Sequence, residues 1–386
     1  MGVGRGSGGG FPWRELETGL SNVSAGDVPQ VRLAAVGDLL LVAEGEGPSR
    51  RDAESRLDGI RSLLDGADVL FGNLECALAA GTEMAPTEPR VVATADQVRG
   101  TLEAGFNVVT LANNHAFDYR EAGFREVCGL LDRLGVARFG AGDNLAQAAA
   151  PARLEVKGIR LAFVGAVDRR SGPSQFATEG QAGVAPLDIS RLLDQIRRLR
   201  REVDHVIVSL HWGEERLRIP SPVQVEQAHA LVAAGASLIL GHHAHVVQGL
   251  EVYRGVPIIY SLGNFIASEV LFSSGDRVTW NRTGRTGCLL TVELARDGVV
   301  AVTQTPTYDD GRRVEPDGTG FGDRRIALVN RALARGVTLR RYRWEFFRVK
   351  TLRPALEHLR WSNIKRLSPR KVWKFLAGLG HAHKAE

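Results

Sequence analysis

The chain has 386 residues, 44% of them hydrophobic and 24% charged, which is enough apolar content for one large core or two smaller ones and excludes a disordered chain. Its three cysteines, Cys76, Cys128 and Cys288, show no CxxC spacing, which argues against a disulfide scaffold and suits a reducing compartment. No apolar run approaches the ~18 residues of a membrane span, and the net charge of +5 is concentrated toward the C-terminus.

Residues 1–29 open on a glycine-rich run without the apolar segment of a secretory signal. They read as a flexible leader with a short helix, and the expected location is the cytoplasm. A domain expected over 30–305 then alternates strand and helix. Residues 31–36 read as a strand ending at Gly37-Asp38, and 52–64 as a helix on the spacing of Leu57, Ile60 and Leu64. Residues 68–71 form the next strand, ending at Gly72-Asn73-Leu74-Glu75. A helix over 96–104 precedes a strand over 108–111 that ends at Asn113-Asn114-His115, and a helix over 121–134 closes at Gly135.

Residues 154–157 and 160–164 read as a hairpin around Gly158, and 189–202 as a basic amphipathic helix. A buried strand over 206–210 delivers His211. A helix over 223–234 leads to the apolar run 236–240, which delivers Gly241-His242-His243-Ala244-His245. Residues 257–262 form a strand ending at Gly263-Asn264, and 288–294 with 299–304 read as an antiparallel pair around Asp297-Gly298. The alternation predicts an α/β protein with its ligands at the carboxyl ends of the strands. The late β-pairs extend this to a mixed sheet or a two-sheet sandwich flanked by helices.

Residues 306–386 read as a Gly-rich connection followed by a basic helical tail. From Arg340 onward the chain carries 13 Lys and Arg against 3 Glu, interleaved with Tyr342, Trp344, Phe346, Phe347, Trp361, Trp373 and Phe375. The expected structure is amphipathic helices that pack their aromatic faces on the core, with Ser368-Pro369 opening the last one. The competing reading is a patch for an anionic peptide, a lipid surface or nucleic acid.

The donors at the strand ends carry the chemistry. Neutral imidazole and carboxylate are the usual ligands of zinc, manganese and iron. Three histidines within four residues at 242–245, together with Asp38, Asn73 or Glu75, Asn114-His115 and His211, point to a metal centre.

These motifs, with Tyr260-Ser261-Leu262-Gly263-Asn264-Phe265, occur in an order that resembles the CapA family of capsule or poly-γ-glutamate synthesis proteins. That family looks like a branch of the calcineurin-like metallophosphoesterases, and the resemblance covers about residues 31–300. It implies a calcineurin-like sandwich of mixed sheets flanked by helices. It also implies one or two divalent ions (Mn, Zn, Mg, Ca or Fe) held by Asp38, Asn73 or Glu75, Asn114, His211, His243 and His245. His115 would be the acid outside the ligand set, with Asp38, Glu75 and Glu214 completing the catalytic group. Arg120, Trp212 and Asn264 are the expected substrate contacts. Leu40 stands where the wider superfamily has a histidine, and Asn73 or Glu75 where it has a bridging aspartate. Both departures predict weaker binding of the first ion. The implied substrate is a peptide or an anionic glutamyl polymer, converted by amide hydrolysis or epimerisation. Phosphoester hydrolysis and a non-catalytic assembly role are the alternatives. No specific nucleic-acid partner is expected. The basic tail offers peripheral contact with a membrane, and the oligomeric state is not legible.

Overall fold

The computed structural model describes residues 29–43, 47–81, 83–86 and 88–358. The expectations for the leader and for the helix opening at Ser368 lie outside them.

The first half of the chain lays down four parallel strands, β1 (Gln30–Leu40), β2 (Val69–Leu74), β3 (Val108–Thr110) and β4 (Ala137–Phe139). A second sheet follows from β5 (Ala152–Val156), β6 (Ile159–Val167), β7 (His205–His211), β8 (Leu238–His242), β9 (Val247–Tyr253) and β10 (Val256–Leu262). The chain then returns to the first sheet with β11 (Asn264–Ala267), β12 (Thr286–Ala295), β13 (Gly298–Asp309) and β14 (Val314–Pro316). The first sheet runs β14-β13-β12-β1-β2-β3-β4, with β11 also on β1; the second runs β9-β10-β8-β7-β6-β5.

Alternation in β1 shows how the layers form. Val31, Leu33 and Ala35 share a buried cluster with Phe71, Phe163, Ile207, Leu240 and Ile259, which come from both sheets. Ala34 and Val36 join the opposite cluster, under the helices α1 (Arg50–Ser55), α2 (Arg61–Leu64), α3 (Ala95–Leu102) and α4 (Arg120–Leu134). The outer face of the second sheet is covered by α5 (Ile189–Leu199) and α6 (Pro222–Ala234). Period-2 side-chain direction therefore yields a four-layer sandwich with apolar residues on both faces of the central strands. Ser221 and Gln224 close α6 with a reciprocal capping box, and Gly135 ends α4 in the left-handed conformation.

Three expectations are corrected. The helix expected over 52–64 is two short helices, because the Arg56 carbonyl accepts from Val314 N of β14 at 2.8 Å rather than from the next helical turn. The connection expected from 306 is instead ordered sheet: β13 crosses that boundary to Asp309 and β14 pairs with it. The C-terminal helices, α7 (Phe321–Ala334), α8 (Leu339–Phe347) and α9 (Arg353–His358), do not bury their aromatic residues as a face. Trp344 is 60% exposed, whereas Glu345 is buried.

Glu345 explains the inversion. Its carboxylate accepts from Arg218 Nε and Nη2 at 2.8 and 2.9 Å and from Arg348 at 2.8 and 2.7 Å. Burial alone would raise its pKa, but the two guanidinium groups outweigh burial and hold it at about 2. Glu345→Ala would leave Arg218, Arg348 and the neighbouring Arg325 without their acid, at a cost of about 3–5 kcal/mol, read as a lowered urea midpoint. Because the folded pKa lies below the ordinary 4.5, the wild-type contribution is complete above that value and fades as pH falls toward 2. Acid titration of Glu345→Gln should lack that component.

Candidate metal centre

The carboxyl ends of β1, β2, β7 and β8 converge from the two sheets. Asp38 lies opposite both Asn73 on β2 and Asn264 on β11, and its backbone N–H donates to Gly263 O at 3.0 Å. That approach requires glycine at 37, where a Cβ would meet Gly263 O at 1.8 Å. Gly37→Ala should therefore push β1 from the 263–264 turn and displace the Asp38 carboxylate. The expected result is a lower melting temperature together with loss of divalent-ion uptake.

Asp38, Glu75 and His211 are wholly buried, and His243 and His245 nearly so. Donor atoms of Asp38, Glu75 and His245 form one compact group, those of Glu75, His211 and His243 a second, and those of Glu215, His243 and His245 a third. Glu75 belongs to the first two. Its Oε1 lies 3.7 Å from His211 Nε2 and 3.9 Å from His245 Nε2. Asn114 Oδ1 is 2.7 Å from His211 Nε2, so those two donors point to one place. Asn264 Oδ1 holds His245 Nδ1 at 2.9 Å and donates through Nδ2 to Gly284 O.

Asn73 has a different part from the one expected. Its Nδ2 donates to Asp38 Oδ1 at 2.9 Å and Glu75 Oε2 at 3.1 Å, while its Oδ1 accepts from Asn113 Nδ2 at 3.0 Å. Accepting oxygens of Asp38 and Glu75 on one side fix that amide orientation, which turns the Asn73 oxygen away from the site. The structure gives the shared position to Glu75 and makes Asn73 its support.

The other candidates divide. His115 Nδ1 pairs with Asp118 Oδ2 at 2.8 Å, and Asp118 also accepts from Val91 N. The His115 side chain is 12% exposed and its Nε2 lies 3.1 Å from Asn114 Nδ2, so it is the least buried imidazole of the group. Glu214 pairs with Lys350 at 3.4 Å, and its neighbour Glu215 reaches the histidines instead. Trp212 is corrected from substrate contact to core residue: it is buried, stacked on Tyr260, and donates to Tyr260 O. Arg120 Nη1 lies 3.4 Å from Gln175 Oε1, at the start of α4. Leu40 is buried in the apolar layer and offers no donor.

His242, which stands outside the expected ligand set, places Nδ1 3.1 Å from Asp38 Oδ1. The sequence reading also missed Glu215 and the support from Asn113. For Asn113 a signal existed, since it stands beside Asn114 in the same motif.

The electrostatics fit a cation at this site. Burial and the Asp38 charge raise Glu75 well above the carboxylate range. Burial lowers His211 well below its ordinary value, and lowers His243 to about 4. Burial would lower His245 as well, but Glu75 and Asp38 outweigh it and raise it to about 10. Burial would raise Asp38, yet bonds with His242 and His245 hold it well below the usual range. A protonated His245 thus supplies the positive charge that the carboxylates demand. Glu75 Oε1, His211 Nδ1 and His243 Nδ1 are buried without hydrogen-bond partners among the described residues, an arrangement that is costly unless a ligand uses them. His243 and His245 also have φ of 86° and 54°, a strained backbone of the kind found at ligand clamps.

A helix-flanked two-sheet sandwich with imidazoles and carboxylates at its strand ends is thus the class of protein defined here. The chain belongs to the bacterial capsule synthesis protein family PGA_cap, whose profile matches residues 32–269. It is 30% identical over 275 residues to the PGA biosynthesis protein CapA of Bacillus subtilis, covering 70% of each chain. It is 29% identical over 303 residues to the capsule biosynthesis protein CapA of Bacillus anthracis, covering 76% of this chain and 71% of that one. A crystal structure of a hypothetical protein from Thermus thermophilus aligns with a TM-score of 0.45 at 22% identity, over 72% of this chain and 99% of the other. Among the described residues no helix is long and apolar enough to cross a membrane.

Proposed function

We propose that this protein is a metal-dependent enzyme acting on a peptide or γ-glutamyl amide, in poly-γ-glutamate or capsule metabolism or in peptide tailoring. The observation that carries the reading is the shared Glu75, whose unpartnered oxygen sits among His211, His245 and Asp38. Asp38, Glu75, Asn114, His211, His243 and His245 would hold one or two divalent ions. When bound, such an ion polarises a carbonyl or phosphoryl oxygen and acidifies a water.

The chain's own residues supply the remainder. Asp118 accepts from His115 Nδ1, which leaves Nε2 as the atom that takes or gives a proton. Asn73, itself held by Asn113, holds the carboxylates in place. With a peptide, this set supports amide hydrolysis, or proton transfer at a Cα beside a polarised carbonyl, which epimerises the residue. The Bacillus subtilis relative, named for PGA biosynthesis, favours a glutamyl substrate.

Phosphoester hydrolysis is the second reading, favoured by one carboxylate serving two donor groups, since paired ions suit in-line displacement. Incubating metal-loaded protein with γ-glutamyl oligomers and α-peptides in deuterated water, with mass spectrometry, separates these reactions. Cleavage or Cα deuterium uptake is the expected result. Turnover of a phosphodiester with neither change in any peptide would overturn the peptide reading.

A further inference from the structure

Beside the metal centre lies a second cavity, of about 200 Å³. It is smaller than the ~300–1,000 Å³ of sites that enclose a whole drug-sized ligand, so it accommodates one end group of a longer molecule. Five arginines line it: Arg216, Arg218, Arg325, Arg348 and Arg353. No acidic side chain lines it among the described residues.

The cavity touches the centre through Trp280. That ring lies 5.0 Å from the ring of His245, and the Arg216 guanidinium sits 5.7 Å from the Trp280 centroid. Gly284, also on the wall, accepts from the Asn264 side chain that holds His245. Glu345, just outside, occupies Arg218 and Arg348. Arg325 is different: its Nε and Nη2 are buried with no hydrogen-bond partner among the described residues. Burial and the charges of the neighbouring arginines depress it to about 10. Unsatisfied guanidinium donors in a low-dielectric site are costly, and their planar fork matches a carboxylate.

We propose that this cavity is a carboxylate-binding subsite, in which Arg325 and Arg216 hold a substrate carboxylate while the adjoining carbonyl reaches the centre at His245. The identification of the ligand as a peptide or glutamyl carboxylate rests on the function proposed above; the anion site itself rests on the arginines. The carboxylate has two sources, the pendant α-carboxylates of a γ-glutamyl polymer or the C-terminus of a peptide.

The test is calorimetric titration of the full chain, stripped of metal, with a γ-glutamyl tetramer, its C-terminal amide, and an analogue with every carboxylate amidated. Arg325→Gln and Arg216→Gln are expected to weaken the tetramer about tenfold or more. Arg197→Gln, an equal charge change on the exposed face of α5, should bind like wild type. Binding of the C-terminal amide assigns the subsite to the pendant α-carboxylates along the chain, and its loss assigns it to the C-terminus; either supports the proposal. Equal binding of the fully amidated analogue or of inorganic phosphate would overturn it. So would wild-type affinity in both arginine variants, each checked for folding by circular dichroism. Because no metal is present and binding is read directly, failure of the proposed reaction would leave this result intact.

Discussion

Glu75→Gln should strip the protein of its divalent ion and lower turnover by more than about 100-fold without unfolding it. The magnitude follows from position. Losing a group that merely supports a ligand costs about 10–100-fold in metal affinity or activity, and Glu75 offers donors to two groups at once. The fold should tolerate the change. In the metal-free protein the Glu75 carboxyl is held well above its usual range by burial and by Asp38, which favours its protonated form. Glutamine is nearly isosteric with that protonated form. Metal-free wild type and Glu75→Gln are thus expected to melt together. Wild type alone should gain stability on adding manganese or zinc, by about 2.7 kcal/mol at a concentration 100 times Kd. Equal gains in both proteins would show that Glu75 is not a ligand.

His115→Asn has the second large effect, of the opposite kind: metal content unchanged and kcat lower by about 10²–10⁴-fold, the usual worth of a positioned acid or base. His115 is the least buried imidazole of the set, fixed through Nδ1 by Asp118. Asp118→Asn should lower kcat as well, with little change in KM, because it disturbs which nitrogen carries the proton rather than removing the ring. Metal lost along with activity in His115→Asn would move that residue into the ligand set.

Much of this was legible because strands deliver side chains by rule. Apolar runs ending in Asp38, Glu75, Asn114 and His211 place donors at the carboxyl edge of parallel strands, where α/β proteins bind ligands. Applied to Trp212, the same rule would have corrected the expected substrate contact: successive residues face opposite sides, so if His211 faces the centre, Trp212 faces the helical layer. Beyond the strand the parity fails. Gly213 turns with φ 84°, and the acid that reaches the histidines is Glu215 rather than Glu214. Choosing between Asn73 and Glu75 was beyond alternation, since both share one face of β2. The hydrogen bonds of Asn73 with Asp38 and Asn113 decide it, across 35 and 40 positions of sequence. The tail failed for a similar reason, because Glu345 is buried by Arg218, 127 positions away. Arg325 left no sequence signal at all, since its unsatisfied donors are a property of the assembled cavity.

The central claim is that Asp38, Glu75 and the histidines hold a catalytic divalent ion. Elemental analysis of protein purified without added metal or chelator, run beside the Asp38→Asn/His243→Ala double variant, tests it most directly. At least one divalent ion per wild-type chain, and none in the folded variant, is the predicted result. A variant that keeps its ion, or a wild type that turns over peptide at full rate after chelation, would contradict it.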